Sequence, residues 1–361
     1  MKQIQMTKTD KKLLLVLAFL LPLVFASCEK DDPENHENGG EYNPTPYGLI
    51  IPQGFPDMEI PSDNPMTEEG VELGRKLFYD PILSADNTLS CADCHSQAFS
   101  FADNRRFSVG IDGIEGHRNA MSLINAGWLR NLNWHGSAET LEAQAFEPVT
   151  NPIEMHNTWP AAVADLKDHP EYPDLFFKAF GTLDFDSGHV VKAIAQFERT
   201  LISNNSKWDK YLRGEVQLTA AESKGFEIFF TEKGDCFHCH TTILFTDNEF
   251  HNNGLDSVFA DQGYFDVTCN PSDKGKFRTP TLRNLVFTAP YMHDGRFESL
   301  EEVIDFYSEG LKFSPTIDPL MKKVEQGGID LTEEEKQNLL AFLKTLTDTT
   351  FVNNPEYTNP F

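Results

Sequence analysis

The chain has 361 residues, 40% hydrophobic and 24% charged, with 56 acidic side chains against 30 basic ones and a net charge of −26. That profile excludes a mainly disordered chain, and the length exceeds one ordinary core and predicts two domains. A surface this acidic repels nucleic acid and anionic headgroups, so its electrostatic match is a cationic or locally basic protein.

At the start of the chain, Lys8, Lys11 and Lys12 precede an apolar run over residues 13–26. A bilayer span needs ~20 residues, so the run reads as an export signal. It closes on Phe25-Ala26-Ser27-Cys28, the pattern of a lipoprotein signal in which Cys28 is lipidated after residues 1–27 are removed. The mature net charge is then −29. Residues 28–46, polar and rich in Pro, Gly and Asn, read as a flexible tether. The expectation is an exported periplasmic or cell-envelope lipoprotein, held to the membrane by its lipid alone.

Beyond the tether, an internal duplication organises the chain. Thr67 opens an amphipathic segment with Gly74-x-x-Leu77-Phe78, and Thr219 with Glu222 opens another with Gly225-x-x-Ile228-Phe229. Each leads into a cysteine motif, Cys91-Ala92-Asp93-Cys94-His95 and Cys236-Phe237-His238-Cys239-His240, and each motif precedes a Phe-x-Asp-Asn string, at Phe101 and Phe245. Farther on, residues 123–142 align without a gap on residues 282–301 at an offset of 159, with identities at Leu123/Leu282, Asn125/Asn284, Gly136/Gly295 and Leu141/Leu300. No strand-like alternation persists, so the fold class is mainly α: two copies of a cytochrome c-like helical domain with long loops. Residues 47–205 form the first domain, 206–350 the second and 351–361 a tail. Thr332 and Glu335 form a capping box for the last long helix.

Cys-x-x-Cys-His attaches a c-type haem, because two thiols bond the porphyrin vinyl carbons while the adjacent His reaches the iron. Zinc ribbons place their Cys pairs roughly 15–20 residues apart. Here 141 residues separate Cys94 from Cys236, and a redox Cys-x-x-Cys requires no trailing His. The motifs therefore predict two covalent haems, with His95 and His240 as iron ligands. Cys269 is left over and reads as a small buried hydrophobe.

The offset also speaks to the sixth ligands. Tyr307 corresponds to Pro148, which has no donor for iron, so the first haem lacks a ligand that the second has. Met292 and Met321 are alternative ligands for the second iron. Trp134 corresponds to His293, which is expected near the propionates of the second haem.

Over roughly residues 65–348 the chain resembles the bacterial dihaem cytochrome c peroxidase family, including its MauG-type branch. The matching strings are Leu73-Gly74-Arg75-Lys76-Leu77-Phe78-Tyr79-Asp80-Pro81, the two haem motifs, Arg118-Asn119-Ala120, Gln144-Ala145, Glu154-Met155 and Pro290-Tyr291-Met292-His293-Asp294-Gly295-Arg296. The resemblance implies that the N-terminal haem meets hydrogen peroxide and the C-terminal haem takes electrons from a small cytochrome c or copper protein. It makes Gln144 and Glu154 the acid-base pair, Trp134 the electron bridge, and Asn119 with the carbonyls of Thr288 and Pro290 the ligands of a calcium ion. Three departures stand out. Ile111 takes the position of a distal His, with His117 six residues on, which implies an iron open without reductive activation. Tyr307 stands where the common peroxidases have Met, as in the MauG type. Asn133-Trp134-His135-Gly136-Ser137 replaces the usual Trp-Asp-Gly-Arg. A MauG-like oxidase of a protein substrate and a non-catalytic electron carrier remain alternatives, and self-association into a homodimer is left open.

Overall fold

The computed structural model describes residues 41–241 and 243–361, so the signal segment, Cys28 and most of the tether lie outside the described residues. The first half carries α1 (Glu68–Tyr79), α2 (Cys91–Cys94), α3 (Leu141–Thr150), α4 (Trp159–Asp168), α5 (Tyr172–Phe180) and α6 (Ser187–Arg199). The second carries α7 (Lys207–Leu212), α8 (Ala220–Phe229), α9 (Phe265–Thr268), α10 (Leu300–Glu309), α11 (Glu333–Lys344) and α12 (Thr349–Val352). Long loops join them, and a two-residue antiparallel pair, β1 (Phe250–His251) with β2 (Phe277–Arg278), sets Phe250 opposite Arg278. This is the mainly helical, cytochrome c-like fold that the sequence predicts. Among the described residues no helix is long and apolar enough to cross a membrane.

The helices begin where their capping residues stand. The Thr67 hydroxyl accepts from the Gly70 amide, and Thr219 with Glu222 and Thr332 with Glu335 close reciprocal capping boxes. The duplicated Gly-x-x-Leu/Ile-Phe string has a packing cause. Gly74 lies where α1 crosses α6, and a Cβ there would stand 1.8 Å from the Ala193 carbonyl oxygen. Gly225 lies where α8 crosses α11, with the Asn338 carbonyl at 1.9 Å from the same added atom. Each glycine lets two backbones touch, and Phe197 and Phe342 pack beside them.

The offset of 159 survives in three dimensions. α3 and α10 start and end in register, behind the caps Thr140 and Ser299. Asn125 and Asn284 both take the left-handed conformation, at φ 56° and 60°. Their amides donate to the carbonyls of Leu201 and Leu346 at 2.8 and 3.1 Å, tying each loop to the end of its own closing helix.

One core gathers Leu73, Leu77, Phe78, Phe101 and Phe197, the other Trp208, Phe229, Phe245 and Phe342. At the joint between them Arg283, fully buried, makes a two-pronged pair with Asp209 at 2.9 and 2.8 Å and donates to the Ile243 carbonyl at 2.8 Å. The tail over residues 351–361 packs back on the first lobe: Phe351 and Tyr357 are buried in the first core, and the Tyr357 hydroxyl donates to the Thr200 carbonyl at 2.7 Å. One finding differs from expectation. Cys269 is exposed rather than buried, because it caps the short α9 in a left-handed turn at φ 54°.

Candidate active site

Each Cys-x-x-Cys-His motif opens onto its own cavity. Cys91, Cys94 and His95 line the first, Cys236, Cys239 and His240 the second. The His95 Nδ1 lies 2.9 Å from the Phe101 carbonyl, and His240 Nδ1 lies 3.1 Å from that of Phe245. Phe101 and Phe245 are the first residues of the repeated Phe-x-Asp-Asn strings, and both adopt positive φ, at 58° and 54°. That turn aims a carbonyl at the imidazole and fixes the tautomer that leaves Nε2 free for a metal. Burial holds both imidazoles neutral, with His240 lowered to about 4. Half-buried thiols lining a cavity and an oriented neutral imidazole at each motif fit a covalently attached haem twice over.

The two cavities differ in the side chains that α3 and α10 turn into them. Gln144 and Pro148 face the first; Val303 and Tyr307, at the corresponding positions, face the second. In the first, Glu154 joins Gln144. Burial raises the Glu154 pKa, and the Asn151 side chain, donating to its Oε1 at 2.6 Å, opposes that shift. Ile111 is tied by its backbone to the Glu154 carbonyl at 3.0 Å, and exposed His117 lines the same cavity. In the second, the Tyr307 hydroxyl accepts from Asn253 Nδ2 at 3.0 Å, and burial pushes its pKa up to about 12. The same Nδ2 lies 3.9 Å from the Met292 sulfur, and Met321 lines the cavity as well. All three candidates for the sixth ligand therefore border the second cavity. The first cavity is roomier, at about 480 Å³ against about 250 Å³.

Trp134 is buried and lines both cavities. Its Nε1 donates to the Asn119 carbonyl at 2.8 Å, and its ring meets that of His293 edge-on at 6.5 Å. His293 is buried and stacks on Phe277, with ring centres 3.7 Å apart. Asn119 points its amide nitrogen at the Arg105 carbonyl, 3.0 Å away, which leaves its Oδ1 for another partner. Thr288 borders the second cavity, and Pro290 stands two residues beyond it.

Three groups at the cavities escaped sequence reasoning. Glu198 on α6 is buried at the first cavity, where α11 presents Leu343 to the second, and burial raises its pKa to about 8. His251 bridges Asp318 at 2.6 Å and Asp247 at 2.9 Å; burial opposes its charge, but the two carboxylates prevail and raise its pKa to about 12. Arg278 on β2 is buried between the cavities and lines both. Glu198 sits on a helix face that reads as ordinary amphipathic core, and the other two sit in a polar stretch that reads as surface loop.

The chain matches the family model described as di-haem cytochrome c peroxidase over residues 68–217. It is 38% identical over 288 residues to the methylamine utilization protein MauG of Methylorubrum extorquens, covering 79% of this chain and 80% of that one. It is 32% identical to the cytochrome-c peroxidase IdrP1 of a Pseudomonas species, over 81% and 84% of the two chains. Among solved structures, a MauG-like protein associated with microbial copper homeostasis superposes with a TM-score of 0.82 at 39% identity, covering 87% of this chain and 99% of that one.

Proposed function

Because the chain belongs to the di-haem cytochrome c peroxidase family, an oxidoreductase family whose members carry two haems, we propose that it reduces hydrogen peroxide to water at the first cavity. The observation that carries this reading is the contrast along one helical register: Gln144 and Pro148 in the first cavity, Val303 and Tyr307 in the second. One site is furnished for proton transfer and offers no ligand from α3; the other is furnished to hold a metal and is apolar beside it.

When bound, the haem at the first motif supplies the iron to which peroxide binds and through which electrons reach it. Glu154, half-buried and with its pKa raised by burial, would in its deprotonated form take a proton from one peroxide oxygen and return it to the other, which would leave as water. Gln144 donates a hydrogen bond that orients the peroxide. Two electrons and two further protons complete the conversion of one peroxide to two waters. The electrons come from a small cytochrome c or copper protein through the second haem, with Trp134 between the two cavities as the bridge. Such a donor would be locally basic, matching a chain of net charge −26.

A calcium ion belongs to the same reading, held by Asn119 Oδ1 and the carbonyls of Thr288 and Pro290, neutral oxygens of the kind calcium accepts. So does export to the cell envelope with lipidation at Cys28. A second reading is favoured by Tyr307: an oxygen ligand stabilises high-valent iron, and electrons would then be drawn from a protein substrate, as a MauG-like oxidase would do. Peroxide turnover measured with a panel of reduced small cytochromes and copper proteins decides. Turnover with any of them supports the peroxidase, whereas peroxide consumption only in the presence of an oxidisable protein supports the second reading.

A further inference from the structure

Three arginines are nearly inaccessible among the described residues: Arg199, Arg278 and Arg283. Arg199 pairs with Glu142 at 2.8 Å and Arg283 with Asp209 at 2.8 Å. Arg278 has no carboxylate. Its Nη1 has no hydrogen-bond partner, its Nη2 meets only the Met121 sulfur at 3.3 Å, and its Nε reaches the Asn133 carbonyl at 3.5 Å. A thioether is a weak acceptor, so both outer nitrogens of this guanidinium are unserved.

A buried cation without a counter-charge is strongly unfavourable. Here it is also rigidly placed. The Arg278 amide donates to the Trp134 carbonyl at 2.9 Å, and its residue pairs with Phe250 across the β1–β2 ladder. The side chain borders both cavities, as Trp134 does. The anions that belong in such a place are the carboxylates at the polar edge of a porphyrin, and a guanidinium presents two ends that hold two carboxylates at once.

We infer that Arg278 is a propionate anchor shared by both haems, one through Nη1 and the other through Nη2, and that it sets the electrostatic level of the pair beside the Trp134 bridge. It is a positioning residue: it acts on the reacting iron through the porphyrin. The inference rests on the two-haem reading. A cation shared in this way stabilises the reduced form of each iron, because reduction adds an electron next to it. Removing the charge lowers both reduction potentials together and leaves the axial ligands alone.

The test uses the haem-loaded full chain, with haem quantified first. Two haems per chain in the wild type and in Arg278→Gln, with both potentials lowered in spectroelectrochemical titration and raised again in Arg278→Lys, is the expected result. Unchanged potentials, or a shift confined to one haem, would overturn the shared anchor while leaving two haems in place. Fewer than two haems in the wild type would overturn the two-haem reading and this inference with it. Should Arg278→Gln fail to fold, a crystal structure of the wild-type holoprotein decides: propionate oxygens from both haems at hydrogen-bond distance from Nη1 and Nη2 support the anchor, and water or carbonyl partners alone overturn it.

Discussion

At positions 144 and 148 the first cavity receives a glutamine and a proline; at 303 and 307 the second receives a valine and a tyrosine. A third pair, Glu198 against Leu343, runs the same way. Meanwhile the framework around these positions has barely moved. Gly74 and Gly225 open the same helix crossing, Phe101 and Phe245 turn the same carbonyl towards a histidine, and Asn125 and Asn284 lock the same loop. Duplication kept what holds each haem site together and let the side chains facing it diverge. Such positions are free to change because they touch the cofactor space rather than another helix.

The largest effect that would break this contrast comes from removing one site at a time. Cys91→Ala with Cys94→Ala and Cys236→Ala with Cys239→Ala should each leave one haem per chain and abolish donor-supported peroxide turnover, but only the second pair should keep a haem whose spectrum changes when peroxide is added. Haem quantitation and a peroxide titration of the haem spectrum separate the two; equal behaviour of both variants would dissolve the distinction between the cavities.

Next in size is Glu154→Gln, which should retain both haems and lose at least ~10²-fold in peroxide turnover, as expected for a missing acid-base group. The pH profile sharpens this. Burial raises the Glu154 pKa, so the carboxyl keeps its proton to a higher pH than an ordinary glutamate. As a base it must first be deprotonated, and wild-type turnover should therefore fall as pH drops through that raised value. The Gln variant should lack this limb, and a limb unchanged in it would assign the proton transfer elsewhere.

Tyr307 gives a smaller, spectroscopic effect. If its oxygen ligates the second iron, Tyr307→Phe should shift the spectrum towards high spin, and Tyr307→Met should raise that haem's potential and introduce the charge-transfer band of a thioether ligand. A wild-type protein that already shows this band, lost on changing Met292 or Met321, would give the ligand to a methionine. The smallest effect is on stability alone. Gly74→Ala and Gly225→Ala each force two helices apart, costing about 1–3 kcal/mol by overpacking. Thermal melts should show similar losses for both, because the two crossings are alike.

Much of this was legible in the sequence because it is local or repeated. The haem motifs, the capping boxes at Thr219 and Thr332, and the register linking Trp134 to His293 and Pro148 to Tyr307 all depend on spacing along the chain. The illegible part depends on contacts between distant segments. Arg278 lies in Gly-Lys-Phe-Arg-Thr-Pro, a string that looks like solvated loop; its burial arises only because β2 pairs with β1 and leans on Trp134, 144 positions earlier. Cys269 looked apolar by residue type, but its exposure comes from a left-handed turn that composition does not reveal.

The return of residues 351–357 to the first core constrains how the molecule can be taken apart. Phe101, whose carbonyl steers His95, packs edge-on against Phe351 and Tyr357, with ring centres 5.8 and 6.2 Å away, and the Tyr79 hydroxyl donates to the Tyr357 carbonyl at 2.6 Å. A fragment cut after residue 205 would thus lack part of its own interior, and the wall behind its haem histidine would face water. The chain threads through two haem lobes and then closes the first with its last described segment. The first lobe is therefore not an autonomous half, and a tag fused after residue 361 would emerge beside α1, where Lys76 lies over the Phe361 ring at 5.2 Å, rather than beside the lobe nearest in sequence.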